Sequence, residues 1–294
     1  MLRINRSSLL YWTLLLLGTA SFAATPALAQ VVVADAGEDL DVECSADAGA
    51  LVNLDGLGST VDSASAALDP NTSFLWEALG IDFSDETSPT PSATFPLGTT
   101  TVTLTVTYTN PVTLVQTISQ DTVDISVDDS TPPTLVLVPD PAVLWPPNHK
   151  LRNVEVVVVA TDACDPHPAV VLTSLTSNEP DNGLGDGDTI GDIQGANLGT
   201  DDRRFQLRAE RSGTGSGRTY SAVYTATDDS GNSTNALATI VVPHDQGDLK
   251  SGNSDKAAKA AAKAAKDAAK AAAKTAKQAA KDAKLAAKAA GHGG

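Results

Sequence analysis

Between residues 31 and 245, apolar and polar side chains alternate in steps of two. Val102, Leu104, Val106 and Tyr108 interleave with Thr101, Thr103, Thr105 and Thr107. Val123, Ile125 and Val127 interleave with Thr122, Asp124 and Ser126. Phe205, Leu207 and Ala209 alternate with Arg204, Gln206, Arg208 and Glu210, and Tyr220, Ala222, Tyr224 and Ala226 repeat the scheme. Successive side chains of a strand point to opposite faces, so this pattern specifies strands with one buried and one wet face. The breaks are rich in Gly, Asn, Asp and Pro, as turns require. No segment of this region carries a 3.6-residue apolar period. Many short strands separated by turns predict antiparallel sandwiches.

A boundary falls at Asp128-Asp129-Ser130-Thr131-Pro132-Pro133-Thr134. Two consecutive prolines lack N–H donors and favour extended chain, so the segment reads as a short stiff connector. The stretches on either side, 30–129 and 130–247, are each the size of one sandwich of seven to nine strands. Each holds one tryptophan, Trp76 and Trp145. Aromatics total only 3 Trp, 4 Tyr and 5 Phe, so the cores must be built from Val, Leu, Ile and Ala. Trp76 is expected between two sheets, and Trp145 at a domain edge.

The two ends follow other rules. Residues 1–29 have the form of a secretory signal peptide: Arg3 and Arg6, an apolar run from Leu9 to Gly18, and Ala27-Leu28-Ala29 before Gln30. About ten apolar residues are too few to span a bilayer, and no later stretch is long and apolar enough. A secreted or cell-surface protein without a transmembrane segment is therefore expected. From Lys256 to Ala290 the chain is almost entirely Ala and Lys. Lys256, Lys259, Lys263, Lys266, Lys270, Lys274, Lys277, Lys281, Lys284 and Lys288 recur at a mean step of about 3.6, the period that sets residues on one face of a helix. Both residue types are strong helix formers, and Gly291 follows as a stop. The expected fold class is all-β: two tandem Ig-like antiparallel sandwiches, plus one long C-terminal α-helix over much of 248–294.

Charge is divided as unevenly as structure. The whole chain carries 36 acidic residues against 20 Lys and Arg, a net of −16. Residues 31–247 alone hold 32 acidic and 7 basic side chains, and 248–294 hold 11 basic and 4 acidic. A body this acidic repels phosphate and is a poor nucleic-acid binder. The lysine stripe is the opposite, and it is expected to dock on an anionic polymer such as a cell-surface glycan, lipopolysaccharide or extracellular DNA. Folding back on the acidic body is the competing outcome.

Val33-Ala34-Asp35-Ala36-Gly37, Val42-Glu43-Cys44, Val52-Asn53-Leu54-Asp55-Gly56 and Phe74-Leu75-Trp76 resemble the first half of a PKD-type Ig-like domain, and Pro96-Leu97-Gly98-Thr99 with its Thr/Val strand resembles the second half. After the connector, Leu144-Trp145-Pro146-Pro147-Asn148-His149-Lys150, Ser177-Asn178-Glu179-Pro180, Gly185-Asp186-Gly187-Asp188-Thr189, Arg208-Ala209-Glu210-Arg211-Ser212-Gly213 and Val242-Pro243-His244-Asp245-Gln246 resemble an Ig-like module of exported bacterial proteins. Asp162-Ala163-Cys164-Asp165-Pro166 is similar to a motif of hyalin-type repeats. These resemblances imply extracellular interaction or spacer modules, with glycan or protein partners, rather than enzymes.

Candidate chemistry is sparse. Cys44 and Cys164 are the only cysteines. Outside the cytoplasm one bridge between them is possible, but they fall in different halves 120 residues apart. Two free buried thiols are the expectation. The loop from Asp181 to Asp192 offers carboxylates at Asp181, Asp186, Asp188 and Asp192 among glycines. Ca²⁺ takes six to eight oxygens, and glycines let a backbone wrap tightly enough to add carbonyls. Ca²⁺ is the one cofactor expected, although the EF-hand spacing is absent. Asp228-Asp229-Ser230-Gly231-Asn232 reads as a hairpin turn. Trp145 between prolines could stack on a sugar ring, which supplies the alternative function of polysaccharide binding. Arg203, Arg204, Arg208, Arg211 and Arg218 are expected to pair with nearby carboxylates at the surface. His149, His167 and His244 are the only candidate bases of the body, and no nucleophile elbow, zinc spacing or phosphate loop accompanies them. No catalytic residue is assigned.

Overall fold

A computed structural model of the chain describes residues 30–62, 64–183, 187 and 189–245. The signal peptide and the lysine stripe lie outside the described residues, as do Asp186 and Asp188. The described chain is all-β. Its single helical turn is a 3₁₀ turn at Ala66–Leu68. No described helix is long and apolar enough to cross a membrane.

Residues 30–128 contribute nine strands: β1 (Val32–Val33), β2 (Leu40–Glu43), β3 (Ala50–Asn53), β4 (Thr60–Val61), β5 (Ala64–Ser65), β6 (Thr72–Glu77), β7 (Ser92–Phe95), β8 (Gly98–Thr109) and β9 (Gln116–Asp128). The main sheet has the order β2-β9-β8-β6, with β2 running parallel to β9 along its edge. It faces the pair β3-β7 and the small sheet β1-β4-β5. The alternating residues behave as their period requires. Val102, Leu104 and Val106 on β8 and Val123, Ile125 and Val127 on β9 are buried, while the threonines between them form the outer face. Trp76 lies fully buried between the sheets, and its indole N–H donates to the Ser88 carbonyl at 3.0 Å.

Residues 134–243 contribute seven: β10 (Thr134–Asp140), β11 (Leu151–Thr161), β12 (Ala169–Ser177), β13 (Ile193–Gln194), β14 (Arg204–Arg208), β15 (Gly217–Thr227) and β16 (Ser233–Pro243). The sheets are β10-β11-β14-β13 and β12-β15-β16. Lettered A to G in chain order, that is ABED against CFG, the strand order of a constant-type immunoglobulin sandwich. Phe205, Leu207, Tyr220, Tyr224, Ile240 and Val242 fill its core. The turn after β15 closes as its sequence indicates: Gly231 has φ +92°, and Asn232 N–H donates to the Asp228 carboxylate at 2.8 Å.

No strand ladder among the described residues crosses the Asp129–Pro133 connector. The junction is held by other means. Cys44 and Cys164 form a disulfide, with their Cα atoms 6.2 Å apart. The expectation of two free thiols is therefore wrong. Cys44 follows β2 and Cys164 sits in the β11–β12 loop, and both side chains are buried in the first sandwich's core cluster. A loop of the second sandwich thus plugs the end of the first, which brings the two sulfurs together.

Candidate functional site

The motifs singled out in the second half meet at the end of that sandwich opposite the connector. The β10–β11 loop brings His149, the loop after β12 brings Glu179, Asp181 and Asp192, β14 ends at Arg208 and leads to Glu210 and Arg211, and Arg218 is the second residue of β15. Alternation places Arg218 in the same inward row as Tyr220 and Tyr224, and it is fully buried. A buried guanidinium must have its hydrogen bonds supplied, because an unpaired charge there would be prohibitive. Arg218 Nε donates to Glu179 at 3.2 Å, Nη2 donates to the Pro180 carbonyl at 3.2 Å, and Nη1 pairs with Asp192. Its guanidinium lies over the Tyr220 ring, 5.8 Å from the centroid.

Arg208 completes the cluster. Its Nε donates to the other oxygen of Asp192 at 3.2 Å, and its terminal nitrogens donate to the carbonyls of His149 and Ile190, each at 2.9 Å. Among the described residues, the two guanidiniums meet the carboxylates of Glu179 and Asp192, and three loops are tied to one point. Arg211 ties the end of β16 to the same pole, donating to the carbonyls of Pro243 and His244. Burial pushes the Tyr220 phenol up, with Arg218 opposing the shift.

Beside this cluster Glu210 is fully buried. One of its oxygens is 2.8 Å from His149 Nδ1, and the other has no partner among the described residues. His149 has φ +61° and its side chain is 53% exposed. Gly187 (φ +104°) crosses it so closely that a Cβ would stand 2.5 Å from the imidazole, so only glycine fits there.

Of the four carboxylates expected to hold Ca²⁺, the structure describes Asp181 and Asp192. Asp192 is 2% exposed at its side chain, and both its oxygens are taken by guanidiniums. A carboxylate already shared by two cations is a poor ligand for Ca²⁺. Asp181 accepts the N–H groups of Gly191 at 3.0 Å and Asp192 at 2.7 Å, closing the loop on itself. The arginine reading also changes. Arg203 and Arg204 make surface pairs with Asp201 and Glu155, but Arg208 and Arg218 are core residues. Sequence reasoning missed Glu179 and Glu210 as members of the site.

The junction gathers a second set of polar groups. Glu43 accepts the Ser130 N–H at 2.9 Å and the hydroxyls of Ser130 and Thr131 at 2.9 and 2.8 Å. Those bonds, the Ser130 N–H first, hold its carboxyl below the usual glutamate range. Asn232 Nδ2 donates to the Asp129 carbonyl at 2.8 Å. Asp129 and Asp162 approach Cys164 within 4.8 Å, but that sulfur is bridged, and two carboxylates fall short of a Ca²⁺ shell.

The outer face of β11 and β14 carries two adjoining depressions. One, about 530 Å³, is lined by Asn153, Glu155, Arg204 and Gln206. The other, about 300 Å³, is lined by Trp145, Arg152 and again Asn153. Trp145 is half-buried there, between ring stacking and edge plugging.

No family model matches the chain, and no curated protein matches it. Solved structures do. Fibronectin(III)-like modules of CbhA from Clostridium thermocellum are 16% identical, over 72% of this chain and 94% of that one, with a TM-score of 0.24. Mouse cadherin-23 EC22–24 is 12% identical over 70% and 62%, with a TM-score of 0.28. A nucleoside hydrolase-related hypothetical protein from Saccharophagus degradans is 19% identical, but the match covers 31% of this chain and 22% of that one, with a TM-score of 0.23. TM-scores this low carry no argument by themselves, and the fold rests on the strand order above.

Proposed function

We propose that this chain is a secreted, non-enzymatic adhesion or spacer protein. Its body is two Ig-like sandwiches fixed end to end, the first of PKD type, and its C-terminal lysine segment is a helix that docks on an anionic polymer or partner. The observation that carries this is the Cys44–Cys164 bridge between the sandwiches. A short diproline connector, Glu43 bonded to Ser130 and Thr131, and the Asn232 to Asp129 bond add to it. A disulfide persists in an oxidising compartment, in keeping with export. The charged cluster of the second sandwich ties its loops together. The decisive experiment compares interdomain motion in the oxidised protein and in Cys44→Ala/Cys164→Ala. Loss of a fixed domain angle in the variant supports the spacer reading. An unchanged angle contradicts it.

A second reading has its own observation. The depressions on β11 and β14 join an aromatic wall to Arg152, Asn153, Arg204 and Gln206, the mixture of one apolar surface and convergent polar groups that small-ligand sites use. Polysaccharide binding there predicts glycan affinity that survives removal of 248–294 and is lost in Trp145→Ala.

A further inference from the structure

Two rows of planar polar side chains cross the outer face of the β10-β11-β14-β13 sheet. Strand register sets Asp140, Glu155 and Arg204 side by side in one row, and Asn153, Gln206 and Gln194 in the next. All six are exposed, while Val154 and Phe205 between them are buried, as alternation requires. Rows two residues apart on one face lie about 7 Å from each other, and each row spans about 10 Å across three strands.

One bond is already made within each row. Gln206 Nε2 donates to Asn153 Oδ1 at 2.8 Å, and Arg204 Nη2 donates to Glu155 Oε1 at 2.8 Å. These bonds orient four side chains and use only part of their capacity. Among the described residues, Asn153 keeps its amide N–H donors and Gln206 its carbonyl oxygen, while Glu155 keeps one carboxylate oxygen and Arg204 keeps Nε and Nη1. Donors and acceptors are therefore mixed across the face. A hydroxyl both donates and accepts, so this mixture matches a polyol. A carboxylate or sulfate only accepts, and it would leave the oxygens of Glu155 and Gln206 unmet.

Shape and charge point the same way. Asn153 lines both depressions, so they form one continuous groove. Its smaller part holds Trp145, and its larger part reaches Gly195, just past β13. A chain lying from Trp145 to Gly195 crosses β11 and β14 over both rows. Gly195 has φ +73°, and a Cβ there meets nothing within 4 Å. A side chain at 195 would therefore occupy the groove rather than the protein. Along the groove Arg152 and Arg204 are matched in number by Asp140 and Glu155. Around it, residues 31–247 hold 32 acidic and 7 basic side chains. That field repels a uronic acid or sulfated chain and leaves an uncharged one unaffected.

We propose that the two depressions are consecutive subsites for an uncharged polysaccharide, with one sugar ring on Trp145 and the hydroxyls of the next held by the Asn153–Gln206 and Glu155–Arg204 pairs. The proposal rests on the polysaccharide reading of this face, and it specifies the class of chain and the side chains that hold it. Trp145 supplies the apolar surface and the two rows supply the few oriented polar groups, the division of labour found in small-ligand sites.

The test is titration of the oxidised mature chain with cellohexaose, xylohexaose, mannohexaose and chitohexaose as uncharged probes, and with hexagalacturonate as the charged one. Trp76 is buried in the first sandwich, so a change in tryptophan emission reports Trp145. At least one uncharged probe is expected to change that emission. Its affinity, measured by calorimetry, should fall at least about tenfold in Trp145→Ala, in Asn153→Ala/Gln206→Ala and in Gly195→Asn, since Asn tolerates a positive φ and its side chain fills the groove. Thr105→Ala/Gln120→Ala, which removes an equally exposed hydrogen-bonded pair from the first sandwich, should leave it unchanged. Circular dichroism checks the fold of each variant. Because Trp145 is half-buried, the Asn153/Gln206 and Gly195 variants decide the matter if Trp145→Ala does not fold. An uncharged probe bound equally well by those two variants overturns the proposal. So does hexagalacturonate bound more tightly than every uncharged probe and lost in the same variants, a result that keeps the polysaccharide reading and reverses only the class of chain. No groove-dependent binding of any probe overturns both.

Discussion

Replacing Arg218 by Met should unfold the second sandwich far below its normal temperature. The side chain is completely buried, as are Asp192 (2% exposed) and, largely, Glu179 (13%). Met fills much of the aliphatic volume but removes the guanidinium. Among the described residues, Glu179 then keeps the Ser212 N–H at 2.8 Å and Asp192 keeps Arg208. Orphaning one member of a buried ionic group costs about 3–5 kcal/mol. The second sandwich has roughly 115 residues, so its unfolding entropy is about 240 cal/mol/K and that loss lowers Tm by about 12–20 °C. Arg204 with Glu155 is the internal comparison. Both are surface groups, 77% and 51% exposed, and Arg204→Met should lower Tm by no more than about 4 °C. Differential scanning calorimetry of the mature chain resolves the transitions, and Trp76 and Trp145 report the two sandwiches. If Arg218→Met costs no more than Arg204→Met, the cluster is not what holds the loops of that pole together.

Tyr224 should titrate late. Burial, with Asp202 second, pushes its phenol up to about 12. Its folded value lies above the ordinary one, so the stabilisation is complete below about pH 10 and is lost as pH rises toward 12; absorbance at 295 nm in Tyr224→Phe identifies the late step. Glu43 behaves in the opposite sense. Its folded value is lowered, so its contribution is present above the ordinary glutamate range and disappears on acidification, and Glu43→Gln should flatten the acid limb of the stability profile. Calcium should not rescue Asp192→Asn, because the lost partners are guanidiniums; a Tm restored by millimolar Ca²⁺ would return Asp192 to the role of metal ligand.

The strands were legible because burial in a sandwich is a local matter of every second residue. Val102 to Tyr108 and Tyr220 to Ala226 need only their own sequence to declare which face is inside. The Asp228–Asn232 turn was legible for the same reason, since Gly231 and a capping Asp are local chemistry. What the sequence did not show depended on distant partners. Asp192 among glycines has the composition of a cation loop, and nothing near it in sequence shows that Arg208 and Arg218 arrive 16 and 26 residues later. Arg218 itself sits in an alternating row as an inward residue, a signal that could have marked it as buried. Cys44 and Cys164 were misjudged because each was assigned to its own sandwich; that a loop of the second enters the core of the first is a tertiary fact without a local signature.

The fixed end-to-end arrangement of the two sandwiches is tested most directly by ¹⁵N relaxation of the oxidised mature chain. Residues 30–128 and 134–243 are predicted to share one anisotropic rotational diffusion tensor, which separates into two faster ones in Cys44→Ala/Cys164→Ala. Two independent tensors in the oxidised chain would contradict the account.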